Sequence, residues 1–126
     1  MQVGRRVARR GAIGVALATA AIGLGPAGGA AASTVTYAVV GTIPVGAGPY
    51  AVDIDPNSHS VYVANFSGNS VSVIDSVSDA VKATVAVGTG PRAVAVDSGA
   101  HRAYIANYAS NTISAIDTTT NTVVAT

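Results

Sequence analysis

A period of 42 residues constrains this chain more than any other feature. Gly48-Pro49 returns as Gly90-Pro91, Tyr62 as Tyr104, Asn65 as Asn107, Asp75 as Asp117 and Val81 as Val123, each pair 42 positions apart with no insertion between them. A lock-step repeat of this length means that one supersecondary unit is written twice. Helical repeats of similar length need apolar residues at a 3.6-residue period, and no such stripe is visible.

The unit itself reads as strands. Tyr50 to Asp55 is a first strand, Pro56 to His59 a polar turn, Ser60 to Phe66 a second strand and Ser67 to Ser70 another turn. Val71 to Asp75 makes a third strand and Ala80 to Val87 a fourth, after which Gly88, Gly90 and Pro91 break the chain and restart the cycle. β-branched residues dominate these runs, as a pleated, half-buried surface favours. Four strands in a gap-free unit of about forty residues fall in the range of β-propeller blades. The expected fold is therefore all-β, with two complete four-stranded blades over 43–84 and 85–126.

Thr36 to Val45 adds a complication, because Val39 lies 42 positions before Val81 and so aligns with a fourth strand. It is expected as an orphan outer strand over 36–45 that lacks the three inner strands of its own blade. Closed propellers use roughly four to eight blades. Two units and one strand therefore call for missing blades in a longer chain or for self-association of several copies, unless the gene is degraded and its product unstable.

The amino end follows a different logic. Residues 1–32 carry Arg5, Arg6, Arg9 and Arg10, then an apolar run from Gly11 to Leu24, then small residues ending in Ala30-Ala31-Ala32. That is the order of a secretory signal, read here as a helical segment cleaved after Ala32, with an uncleaved anchor as the alternative. Neither arginine pair is followed by the pattern of a twin-arginine signal. Without the signal, three basic residues (Lys82, Arg92, Arg102) face six aspartates, which leaves a net charge of −3. A mildly acidic domain lacks the basic stripe that nucleic acid requires, so nucleic acid is excluded as a partner. The chain has no cysteine, which excludes disulfides, thiolate metal sites and covalent c-type haem.

At this point "GPYAVDIDP", "VYVANFSGNSVSVID" and "VKATVAVG", with their second copies "GPRAVAVD" and "AYIANYASNTISAID", resemble the YVTN-type β-propeller repeat of exported bacterial and archaeal surface-layer proteins. The naming tetrapeptide stands as Tyr62-Val63-Ala64-Asn65 and Tyr104-Ile105-Ala106-Asn107, with Ala in place of Thr. The resemblance covers the chain from about Tyr37 onward. It implies a secreted or cell-envelope scaffold without a shared catalytic residue set. In such a scaffold the tyrosine fills space between blades, and the Asn and Asp serve turn hydrogen bonds.

A binding site on a repeat scaffold belongs where the copies differ. Tyr50 becomes Arg92 and Asp53 becomes Ala95, while Phe66 and Tyr108 occupy the turn beside the Gly-Pro loops. Tyr50, Arg92, Phe66 and Tyr108 are the candidate ligand-binding residues, on the rim of one propeller face. No catalytic residue, metal site or cofactor is expected. His59 and His101 recur in a turn at the opposite end and read as surface residues, and Asn65-Phe66-Ser67 matches a glycosylation sequon. The expected function is binding of a protein or an envelope polymer. A structural surface-layer role is the alternative, together with a fragment of a lactonase-like, lyase-like or redox propeller enzyme whose site lies in other blades.

Overall fold

A computed structural model of the protein describes residues 21–22 and 33–126. The expected signal segment and its cleavage point lie outside the described residues, apart from the two-residue strand β1 (Ala21–Ile22), which pairs antiparallel with β2 (Ser33–Thr34). These belong to a first unit that ends at Thr42, and a second unit runs from Ile43 to Thr126.

The second unit contains two four-stranded antiparallel sheets. The first is built from β3 (Pro49–Asp55), β4 (Ser60–Asn65), β5 (Ser70–Asp75) and β6 (Ala80–Ala86), side by side in chain order. The second repeats it with β7 (Pro91–Asp97), β8 (Arg102–Asn107), β9 (Thr112–Asp117) and β10 (Thr122–Ala125). This is an all-β, propeller-like pair of blades that does not close.

One end of all six turns, and both ends of four of them, are chemically specified. The residue before the next strand has a left-handed backbone at all six turns: His59, Asn69, Asp79, His101, Asn111 and Asn121, with φ between 51° and 57°. Asn, Asp and His tolerate this region better than other side chains. At the other end of the turn a strand-final aspartate accepts backbone N–H groups. Asp55 Oδ1 accepts from Asn57 at 3.0 Å, Asp75 Oδ1 from Val77 at 2.7 Å, Asp97 Oδ1 from Ala100 at 3.0 Å and Asp117 Oδ1 from Thr119 at 2.8 Å.

The core lies between the two blades. Strand register sets Tyr62 beside Val73, and Ala64 beside Val71 and then Val85, on one face of the first blade. In the second blade, register sets Ala103 beside Ile116 and Val96, and Ile105 beside Val94. These two faces form one cluster in which Tyr62, Val71, Val73, Ala103, Ile105 and Ile116 are fully buried. Burial pushes the Tyr62 hydroxyl pKa up. Several polar ties cross the same joint. Tyr62 Oη donates to Asn121 Oδ1 at 3.1 Å, Gly90 N–H to Asn69 Oδ1 at 2.9 Å and Val96 N–H to Asp53 Oδ2 at 2.9 Å.

Two expectations are corrected. Residues 36–45 form no strand. An outer strand draws its hydrogen bonds from a third strand, and β5 and β9 are already paired on both sides, β5 with β4 and β6, β9 with β8 and β10. The tyrosine role also splits: Tyr62 fills the space between blades, whereas Tyr104 is 42% exposed because no blade packs on its face.

The aspartate caps make the fold acid-sensitive. Hydrogen bonds from the Thr119 hydroxyl and N–H, then from the Thr120 N–H, with Arg102 adding its charge, hold Asp117 at about 2, below the ordinary 3.8. At Asp55 burial acts the other way, but hydrogen bonds from Ser98, Ser58 and Asn57 prevail and lower it too. Groups depressed on folding stabilise fully above their unfolded value and lose that contribution as pH falls through the folded one. Thermal unfolding is expected to shift to lower temperature between about pH 4 and about pH 2. Asp117→Asn should flatten part of that slope, and an unchanged slope would contradict the capping role.

Candidate functional site

The Gly-Pro loops place the rim. Gly48 and Gly90 have φ of 66° and 63°, a backbone region that costs glycine nothing. Their carbonyls then accept the first N–H of the turn after the second strand, Phe66 N at 2.7 Å from Gly48 O and Tyr108 N at 2.9 Å from Gly90 O. Each loop is thereby fastened to the turn that carries the aromatic residue. Tyr50 and Arg92 follow directly, as the second residues of β3 and β7.

The four residues singled out in the sequence come together in one row. The Tyr50 and Phe66 rings lie 5.9 Å apart at 39°. The Arg92 guanidinium carbon sits 5.0 Å from the Tyr50 ring centre and 4.7 Å from that of Tyr108, and Nη2 donates to Tyr50 Oη at 3.0 Å. The two rings flank the guanidinium and favour one place for it without burying it. The hydrogen bond to Tyr50, together with the two rings, moves the Arg92 pKa further up. Among the described residues no carboxylate lies within ion-pair distance of Arg92; the ion pair formed by Arg102 and Asp117, at 3.0 Å, lies elsewhere. Tyr50 and Tyr108 are 56% and 63% exposed. An open pocket of about 590 Å³ adjoins the row, with Ala93, Ala106, Asn107 and Ile113 in its wall.

The repeated polar residues are scaffold. Asn65 and Asn107 are buried, and each Nδ2 donates to two hydroxyls of the following strand, Ser70 and Ser72 or Thr112 and Ser114, at 2.9–3.1 Å. A buried Asn65 with its amide engaged cannot accept a glycan in the folded protein, which removes the sequon from consideration. His59 and His101 sit in the turns after β3 and β7, at the far end of those strands from Tyr50 and Arg92, and they supply left-handed backbone there.

Asp53 is the residue whose role the sequence hid. Its difference from Ala95 suggested a variable rim position, but its carboxylate holds Val96 N–H of the neighbouring blade. The only clue was a charged residue at one copy of a strand position and a small apolar one at the other. Among the described residues no helix is long and apolar enough to cross a membrane.

No family model matches the chain, and no curated protein sequence does. Among solved structures it is similar to a chain of hydrazine synthase from Kuenenia stuttgartiensis, with 26% sequence identity and a TM-score of 0.59. The likeness covers 66% of this chain and 24% of that one, so the matched region spans about a quarter of the hydrazine synthase chain.

Proposed function

We propose that this chain is a secreted or cell-envelope binding scaffold of the YVTN-type repeat kind, which captures an acidic partner at the Tyr50–Arg92–Tyr108 rim and has no catalytic activity of its own. The carrying observation is an exposed guanidinium, positioned by two tyrosine rings and without a carboxylate partner among the described residues. A fixed guanidinium with free N–H edges suits a carboxylate, and the flanking rings suit the face of a sugar or of an apolar side chain. The domain after Ala32 carries a net −3, so general electrostatic attraction does not favour an acidic polymer and recognition rests on this local arrangement.

An acidic envelope polysaccharide meets these requirements, and polygalacturonate is a suitable probe. Titration calorimetry is expected to show binding to polygalacturonate and none to neutral dextran. Arg92→Ala should weaken it about tenfold to a hundredfold, the range of a lost charge-assisted hydrogen bond. Equal binding to both polymers, or an Arg92→Ala variant that binds like the parent, would reject the reading. The likeness to part of hydrazine synthase supports a second reading, in which two blades of this kind serve as a piece of a larger enzyme and the chemistry resides elsewhere.

A further inference from the structure

We infer that copies of this chain associate head to tail, the Tyr104 face of one against the Val52 face of the next, by repeating the contact that already joins the two blades. The inference does not rest on the rim or its ligand, although the Ile113 side of the rim's pocket lies on the face it uses. It starts from the repeat: apart from Val85 and Val87, the apolar residues of the internal joint have counterparts 42 positions away, on the outward faces of the two blades.

The burial pattern shows the two open faces directly. Tyr62 and Val71 are fully buried against the second blade, while their counterparts Tyr104 and Ile113 are 42% and 58% exposed. On the other side Val94 and Val96 are partly buried in the joint, while their counterparts Val52 and Ile54 are 64% and 50% exposed. One molecule therefore carries a largely exposed copy of one half of the internal joint and a partly exposed copy of the other, where Val52 and Ile54 stand open while Val63 and Ile74, the counterparts of Ile105 and Ile116, are buried. Because the two halves differ, the contact is heterologous, and contacts of that kind propagate in one direction until a ring closes.

The side chains are matched in size and polarity. Val71 and Val73 become Ile113 and Ala115, a slightly smaller pair, whereas Ala103 and Ile105 become Val61 and Val63, a slightly larger one. The volume lost on one face is returned on the other, which a close-packed joint requires. Of the three backbone and turn ties named for the internal joint, two also recur. Tyr104 has the Tyr62 role, with Asp79 in the turn position of Asn121, and Asn111 has the Asn69 role, with Gly48 in place of Gly90. The third does not recur, because Ala95 stands where Asp53 holds Val96. The joint between copies is thus weaker than the internal one.

With roughly four to eight blades in a closed propeller, two to four two-blade chains complete the ring. Tyr50 is 56% exposed even though the second blade packs on its side of the sheet, so its counterpart Arg92 stays accessible when a further copy docks.

Light scattering during size-exclusion chromatography tests this. The parent chain is expected at a single mass of two to four copies of the 12.3 kDa chain, or of the shorter chain if the leader is removed. Ile113→Asp and Val52→Asp, both at exposed positions, should each run as folded monomers by circular dichroism. Mixed together they should form a one-to-one pair and nothing larger, since each retains one intact face. Ala95→Lys is the second variant for the Tyr104 face should Ile113→Asp misfold. A monomeric parent chain at its highest soluble concentration overturns the inference and leaves these faces to another segment or partner. Variants that keep the parent mass, or that fail to pair when mixed, overturn it as well.

Discussion

Tyr62→Ala is expected to lower the unfolding free energy by about 3–5 kcal/mol, the cost of removing a large buried aromatic side chain. The same change at Tyr104 is expected to cost about 1 kcal/mol or less, the scale of a partly exposed surface position. The two tyrosines share one strand position in similar sequence contexts, and what separates them most is the neighbour. Tyr62 is buried among Val71, Val73, Ile105 and Ile116 and donates to Asn121, whereas the Tyr104 face is open. A unit of this size has a total stability of roughly 4–12 kcal/mol, so the first substitution removes a large fraction of it. Urea unfolding, at dilutions where chains stay separate, measures both. Equal losses at the two sites would mean that the blades do not pack as described. A Tyr104→Ala cost that grows with protein concentration would reflect the head-to-tail contact.

Gly88→Ala is expected to cost about 1–3 kcal/mol, as overpacking in a tight interior does. A Cβ there would lie 2.6 Å from Asn107 Nδ2, 2.7 Å from its Cγ and 2.7 Å from Ser110 Oγ. Asn107 has no room to yield, because its amide is committed to Thr112 at 3.1 Å and Ser114 at 2.9 Å. Gly46 stands in the same relation to Asn65, with a Cβ position 2.6 Å from Nδ2. The decisive measurement is a double-mutant cycle. Asn107→Ala opens the space that the new methyl needs, so the double variant should be more stable than the sum of the single losses predicts, by about 0.5–3 kcal/mol. Strict additivity would show that the glycine is needed for some other reason.

The strands were legible because their signal is local. Runs such as Val71 to Asp75 and Ala80 to Val87 contain β-branched residues between turn residues, and the 42-residue step carries each assignment to its counterpart. The row formed by Phe66, Tyr50, Arg92 and Tyr108 was legible for a related reason. Both copies hold the same position on their own blades, so differences between copies at one place in the unit point to one place in space. What remained hidden depends on neighbours. Thr36 to Val45 has the composition of an outer strand, but composition does not supply an unpaired third strand for it to join. Asp53 resembles a rim residue until Val96, 43 positions later, is seen to donate to it. Nothing written within either unit says which of Tyr62 and Tyr104 has a blade against it.

The left-handed turn residues have a consequence for how the molecule assembles. Asn69 and Asn121 do two things at once: the backbone completes a hairpin, and the side-chain amide oxygen accepts a hydrogen bond from the other blade. An amide reaches its acceptor position only after its own turn has closed. Hairpin closure takes on the order of microseconds, while docking of preformed elements is slower. The same turns that end the strands are therefore expected to set the order of events, with each blade shaped by its local hairpins before the two recognise one another.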